Sequence, residues 1–270
     1  DQRNITVTTA GIPAGIRRLT REVPHVRLGV SLGDVRPGRR ASLMPIDRTN
    51  PLAEVIEAAG EHAVASGYSP MFAYTLLAGE NDDEIAAITD WAWERRWVPR
   101  FLELMAIGEG AKVREKYVPY ARILAALGGR VVVGEALRED DRGPAKYLVA
   151  RHDPSLRVGF ITGHSDTYCQ GCDRLRVTAD GTFRPCLATN DGVAAGAAAQ
   201  AGDAAGVAAR LQEAWAQKPD GATFRGCSEA PWAHLRVPHE LMWFKEPPQL
   251  APRRIALDGN QLLTHVDASV

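Results

Sequence analysis

Three of the four cysteines, Cys169, Cys172 and Cys186, fall within one short stretch, YCQGCDRLRVTADGTFRPC, running from Tyr168 to Cys186. Two residues separate the first pair, and thirteen separate the second cysteine from the third. A C-x2-C turn offers two thiolates to one metal centre, and a third thiolate must return from a more distant segment. The residues between supply that return: Arg174 to Thr178 alternates as a strand, Asp180-Gly181 makes a hairpin turn, and Thr182 to Arg184 leads back to Cys186. Three soft sulfur ligands on a hairpin suit zinc or an iron–sulfur cluster. From spacing alone three readings stay open: a structural zinc knuckle completed by Cys227, His164 or another group, a disulfide with spare thiols, and an iron–sulfur cluster. Four cysteines in 270 residues is not a disulfide-dense composition.

Directly after Cys172 stand Arg174 and Arg176, with Leu175 between them. Side chains two apart in a strand share a face, so both guanidinium groups would project together beside the metal centre. Their planar forks match phosphate and carboxylate oxygens in a bidentate way, which points to an anionic ligand. The plainer alternative is a solvated face of the hairpin.

The elements that must position this hairpin lie upstream. Ile5 to Thr9 reads as a β-branched strand closed by Gly11, Ile12 to Val23 as a helix, and Arg27 to Leu32 as a second strand. Asn50-Pro51 opens a helix with Leu52, Val55, Ile56 and Ala59 on one face and a stop at Gly67. Met71 to Leu77 is the next strand, Asn81 to Glu84 places acids at the positive end of a helix with Ile85, Ile88 and Ala92 inward, and Val98 to Met105 is a further strand. Strands alternating with helices at this pitch predict a parallel β/α arrangement. Ligands of such sheets gather at the carboxyl ends of the strands, here Thr8-Thr9, Ser31, Ala78-Gly79 and Met105. Position alone makes Met105 a core residue and Ser31 a turn hydroxyl.

Further along, a helix is expected over Tyr120 to Leu127, ended by Gly128-Gly129, then β-rich strips at Val131 to Val133 and Tyr147 to Ala150. Beyond the hairpin, a low-complexity run from Ala194 to Ala205 precedes a helix from Asp203 with Val207, Leu211, Ala214 and Trp215 on one face. Pro247-Pro248 and Pro252 suggest an extended terminus.

The chain is 45% hydrophobic and 24% charged, enough to bury a sizeable core, and its net charge of −1 argues against a general nucleic-acid or membrane-surface binder. No run of 18 apolar residues and no signal peptide is seen, so a cytoplasmic location with reduced thiols is the expectation.

The stretch GFITGHSDTYCQGCDRLRVTADGTFRPCL resembles the auxiliary-cluster segment of the MoaA family, the GTP 3′,8-cyclases of molybdenum cofactor biosynthesis, which are radical S-adenosylmethionine (SAM) enzymes. The cysteine spacing, the RLR after the second cysteine and the TADG turn before RPCL carry the likeness, and GENDDEI and RFLELM extend it upstream. VRLGVSLGDVRPGRRASLMPIDRTNPLAEV is closer to a segment of the RlmN radical SAM RNA methyltransferases. The resemblance implies an α/β fold, a partial (β/α)6 barrel lacking its first strands over 1–110, an α+β auxiliary-cluster domain over 111–218 and a tail over 219–270. It implies an auxiliary [4Fe-4S] cluster on Cys169, Cys172 and Cys186, and nucleotide contact by Thr8, Arg174, Leu175 and Arg176. It also implies SAM contact by Ser31 and Met105, with SAM and a second [4Fe-4S] cluster engaged only if the missing N-terminal part is supplied. The catalytic residues stay unassigned. The implied partner is GTP or another anionic small molecule, without membrane or nucleic acid, and a homodimer is left open.

Departures from the family pattern are explicit. No C-x3-C-x2-C loop and no GGEP segment is present, Ala78 stands where a basic residue usually precedes GxND, Asp173 replaces the asparagine of CNRLR, and Ala268-Ser269-Val270 replaces a terminal diglycine. These residues alone are therefore expected to retain the anchoring half of the chemistry and not to cleave SAM. The competing readings are a non-catalytic zinc-stabilised module for an anionic partner and an RlmN-like RNA modifier. For Cys227 the choices are a fourth metal ligand, a free thiol or a methyl-carrying cysteine.

Overall fold

The computed structural model describes residues 4–36, 38–132, 144–165, 169, 172–189 and 191–219. Cys227 and the Pro247, Pro248 and Pro252 region lie outside the described residues. Two compact units divide the chain, the first within Asp1–Thr167 and the second within Tyr168–His234.

The first unit alternates strand and helix. Its elements are β1 (Thr6–Thr9), α1 (Pro13–Glu22), β2 (Arg27–Ser31), α2 (Arg39–Leu43), α3 (Leu52–Ser66), β3 (Met71–Thr75), α4 (Ile85–Glu94), β4 (Val98–Leu102), α5 (Tyr120–Leu127), β5 (Val131–Val132), β6 (Lys146–Ala150) and β7 (Arg157–Ile161). They build one seven-stranded sheet in the order β1-β2-β3-β4-β7-β6-β5. β1 to β4 and β7 run parallel, whereas β6 and β5 join antiparallel at the far edge. The sheet continues past residue 110, because β7 takes its place directly beside β4.

Alternation along the strands sorts the two faces. Leu28, Val30, Phe72, Tyr74 and Phe101 are all 2% exposed or less. They form one core with Ile16 of α1, Val55, Ala58 and Ala59 of α3, Ile85, Ile88 and Ala92 of α4 and Ile123 of α5. Each fully buried large side chain of this kind contributes about 1.5–3 kcal/mol. The opposite face carries Thr8, Ser31, Ala73, Thr75, Arg100 and Leu102, which keep partial or full exposure. Among the described residues no helix is long and apolar enough to cross a membrane.

The termini follow local chemistry. α3 ends at Gly67, whose φ of 73° is left-handed and suits glycine. Gly11 at φ +95° begins the turn out of β1, and a Cβ there would stand 2.9 Å from Val55 and 3.0 Å from Arg40. The acids before α4 do a different job from the one expected: the first turn of α4 holds none. Asn81 is fully buried, and its Nδ2 donates to Gly33 O (2.7 Å) and Thr75 O (3.0 Å) while its Oδ1 accepts from Leu77 N (2.8 Å). Asp82 Oδ1 accepts from Gly79 N at 2.7 Å. Backbone groups at the ends of β2 and β3 lose water on burial, and these two side chains supply the partners.

The second unit is smaller: β8 (Arg176–Val177), β9 (Thr182–Arg184), β10 (Val193–Ala194), α6 (Gly196–Gln200) and α7 (Ala204–Ala216). Its antiparallel sheet has the order β10-β9-β8. Asp203 caps α7 by accepting from Gly206 N at 2.9 Å.

Replacing Asn81 by alanine leaves two carbonyls and one N–H in the first unit without their partner. The expected cost is about 3 kcal/mol of stability in chemical denaturation. A loss below about 0.5 kcal/mol would show that water replaces the amide.

Candidate functional site

The cysteine hairpin stands in the second unit. Cys169, Cys172 and Cys186 are free thiols, each half-buried. Cys172 N–H donates to Cys169 O at 3.1 Å, which closes the turn between them, and Ala188 N–H donates to Cys186 Sγ at 3.4 Å. Burial would push the Cys172 thiol up, but the Arg174 backbone N–H, the Arg174 guanidinium and the Lys218 ammonium outweigh it and hold the thiol below its ordinary value. Thiols of this character suit metal ligation. Among the described residues no group of three or more His, Cys, Asp or Glu side chains is gathered closely enough to hold a metal ion. The donor chemistry, three thiols with one held below its ordinary value, fits a cluster.

The strand is shorter than its sequence suggests, Arg176–Val177 in place of Arg174 to Thr178, because only these residues pair with β9. The alternation nonetheless holds. Leu175 and Val177 pack with Val207 and Leu211 against Phe183, Val193, Ala195 and Ala214. Leu175 therefore spends its side chain on the small core. Arg174 and Arg176 alternate with those core residues, and Arg176 lies directly opposite Arg184 in the antiparallel register. Like charges directly opposite each other are destabilising unless something negative intervenes. Arg184, whose Nη2 donates to Thr189 O at 2.7 Å, is the member that sequence reasoning missed; the two-residue step from Arg184 to Cys186 was its available signal.

The hairpin tip is fixed by close approach. Gly181 has φ +80°, and a Cβ on it would stand 2.6 Å from Gly196 Cα. Thr178 Oγ1 bonds Asp180, and Thr182 N–H donates to Thr178 Oγ1 at 3.1 Å. Behind the hairpin Lys218 Nζ donates to Arg174 O at 2.6 Å and to Pro185 O at 2.9 Å, tying both arms together from beyond the end of α7. Sequence reading did not single out Lys218, because its two acceptors are backbone carbonyls.

In the first unit the predicted contacts fall on the carboxyl side of the sheet. Thr8 is exposed and pairs with Gly29, and Ser31 ends β2 two residues further along, so both project from the same face of adjacent strands. Met105 lies beyond β4 and packs on Gly163, whose Cβ position is 3.0 Å from Met105 Cγ. Thr8, Ser31 and Met105 thus share a unit, and the cysteines and Arg174 to Arg176 belong to the other.

A residue that sequence reading passed over anchors this side. Glu103, 2% exposed, accepts from Tyr117 OH (2.9 Å), Tyr120 N (2.8 Å), His164 N (2.9 Å) and Ser165 N (3.0 Å), and also bonds Ser165 Oγ. Burial, with Glu103 beside it, pushes the Tyr117 phenol far up, so it stays protonated and donates. Burial also holds His164 below the ordinary imidazole range against the opposing pull of Glu103, which favours the neutral ring. An acid inside the apolar run FLELM was the legible signal.

Lys218→Met removes both charge-assisted bonds at once. It is expected to lower the stability of the second unit by about 1–2 kcal/mol and to speed amide exchange in β8 and β9. Unchanged exchange would show that the two arms hold without it.

Residues 98–224 match the family described as Molybdenum Cofactor Synthesis C. The GTP 3′,8-cyclase of Pelotomaculum thermopropionicum is 35% identical over 225 residues, covering 80% of this chain and 67% of that protein. The GTP 3′,8-cyclase of Streptomyces coelicolor is 33% identical over 189 residues, 68% of this chain and 53% of that protein. A Sorangium cellulosum protein named "Probable RNA methyltransferase sce3898" is 69% identical over 88 residues, 32% of this chain and 22% of that protein. The chain therefore spans from about a fifth to two thirds of the length of these relatives. With that coverage of the Pelotomaculum protein, and the Molybdenum Cofactor Synthesis C match over the hairpin, the chain belongs to the MoaA-like GTP 3′,8-cyclase family.

Proposed function

We propose that this chain serves a MoaA-like radical SAM reaction on a nucleotide such as GTP, as a partial (β/α)6 barrel followed by an auxiliary-cluster domain. Cys169, Cys172 and Cys186 hold an auxiliary [4Fe-4S] cluster. A bound cluster supplies an iron to which a nucleobase can coordinate, and SAM with its own [4Fe-4S] cluster supplies the hydrogen-abstracting radical. The chain's own groups do the rest. Arg174, Arg176 and Arg184 neutralise the anionic end of the substrate, the main chain at Leu175 lies between the first two, Thr8 contacts the substrate from β1, and Ser31 and Met105 contact SAM.

The observation that carries this reading is the Arg176–Arg184 pair on a hairpin that leads straight into Cys186. A cross-strand pair of like charges is stabilised by an anion placed between the two guanidinium groups. Arg174, with Lys218, holds the Cys172 thiol below its ordinary value, and Lys218 keeps the two arms together.

Anaerobic reconstitution with iron and sulfide tests the metal. The expected product is brown, carries about four irons per chain, and loses them in Cys169→Ser, Cys172→Ser and Cys186→Ser while Cys227→Ser retains them. A colourless protein that takes up only zinc, or iron retained by all three variants, would overturn the cluster assignment. Arg176→Gln in the reconstituted chain is expected to weaken GTP binding about tenfold or more, the loss of a charge-assisted hydrogen bond. Calorimetry reads that change, and equal affinity for parent and variant would remove Arg176 from the site.

A second reading, RNA modification, is favoured by the 69% identity to the Sorangium protein. It requires tight RNA binding whose affinity falls steeply with salt.

A further inference from the structure

β4 runs into an acid at the end of its buried face. Glu103 lies two residues beyond Phe101, its N–H donates to Ile161 O at 3.0 Å, and the residue is 2% exposed. A carboxyl group taken out of water needs donors in its place. Two segments further along the chain supply them. Oε1 accepts from Tyr117 OH at 2.9 Å and Tyr120 N at 2.8 Å, at the start of α5, and also bonds Ser165 Oγ. Oε2 accepts from His164 N at 2.9 Å and Ser165 N at 3.0 Å, beyond β7.

The segment leading into α5 is tied in turn to the loop after β3, because Ala78 N donates to Lys116 O at 2.7 Å and Leu77 bridges Tyr117. Tyr117 OH also stands 2.9 Å from Ser165 Oγ, so the two clasped segments meet each other. Loops that follow β3, β4 and β7 are thereby joined through one side chain. An apolar residue at position 103 would serve the core as Phe101 does. A buried acid with five donors instead holds particular backbone atoms in place, and a satisfied network of this kind rigidifies what it touches.

We propose that Glu103 is a positioning residue for the cysteine hairpin: by holding His164 and Ser165 it fixes the point from which the chain enters the C-x2-C turn, and so restrains the two thiols on that turn. Ser165 stands four residues before Cys169 and seven before Cys172, and Cys186 follows only after the hairpin has turned back. Loosening Ser165 therefore acts first on Cys169 and Cys172. Glutamine cannot take over the task. It offers one acceptor oxygen, and whichever way its amide is turned, its NH2 faces backbone N–H groups of one segment or the other. Glu103→Gln thus opens one clasp while leaving the volume of the side chain in place.

Timed alkylation of the whole, metal-free chain with iodoacetamide, read cysteine by cysteine by mass spectrometry, tests this. Glu103→Gln is expected to speed alkylation of Cys169 and Cys172 about fivefold or more and to leave Cys186 within about twofold of the parent. Ser165→Ala removes one bond to Oε1 at a partly exposed residue and is the milder second variant, with faster alkylation of Cys169 expected there too, so the test stands even where Glu103→Gln does not fold. His62→Ala is the control for mere loss of stability: His62 is 1% exposed and its Nε2 donates to Val26 O at 2.8 Å, at the opposite end of the strands. Unchanged rates at Cys169 in both variants, equal speeding at Cys186, or the same speeding in His62→Ala would overturn the proposal and leave Glu103 a stabilising residue only. A second arm rests on the cluster assigned above: in reconstituted chain, iron loss to a chelator should quicken in Glu103→Gln and not in His62→Ala, and equal loss in the two would overturn the proposal as well. A parent that takes up no iron would instead overturn the cluster assignment, and the thiol rates would still decide the role of Glu103.

Discussion

The structure of the first unit depends on one constraint: a parallel sheet in which one face must be sealed under helices. Leu28, Val30, Phe72, Tyr74, Phe101, Val158 and Phe160 supply that face, and none is more than 2% exposed. Because side chains alternate along each strand, sealing one face assigns every intervening residue to the other. Thr8, Ser31, Ala73, Thr75 and Arg100 are the consequence, a face of small, polar and basic groups that cannot serve as core. The polar groups at the strand ends then have to be satisfied locally. Asn81 does so between β2 and β3, and Glu103 does so for the segments following β4 and β7.

The hairpin unit obeys the same alternation at smaller scale. Leu175 and Val177 reach a core of only a few residues, and that commitment turns the arginines to the other side. Arg176 stands opposite Arg184 in the register, and like charges directly opposite each other are unfavourable unless a partner intervenes. Lys218 adds a further positive charge behind the same arms, bonded to their carbonyls. Arg174, Arg176, Arg184 and Lys218 thus outnumber the acids Asp173 and Asp180 of the same hairpin.

Much of the fold was legible because it rests on periodicity. Helices at Tyr120–Leu127 and from Asp203, the stop at Gly67 and the parallel pairing of β1 to β4 all follow from patterns that burial enforces. What escaped was chemistry decided in three dimensions. Asn81 and Asp82 read as helix-opening residues, yet the unsatisfied backbone at the strand ends claimed them. Glu103 read as part of a strand because its five donors come from two segments further along the chain. Leu175 looked like a companion of the arginines, and packing showed its side chain to be core. Spacing alone singles out the cysteines as candidate donors, but it carries no information about how three sulfurs converge.

The loop after β3 bears on what the site can take. Ala78 gives this loop no charge of its own. Cations do approach the loop: Arg39 donates to Glu80 O at 2.7 Å and pairs with Glu80 Oε2 at 3.1 Å, and Lys116 pairs with Glu80 Oε1 at 2.9 Å. Both are thereby matched to one carboxylate, and Lys116 together with Arg39 holds that carboxyl below its ordinary range. An arriving phosphate would have to compete with a partner already in contact, in a setting where exposed pairs contribute little to begin with. On the proposed reading, the anionic end of the substrate is left to the hairpin, where Arg176 faces Arg184 across the strands.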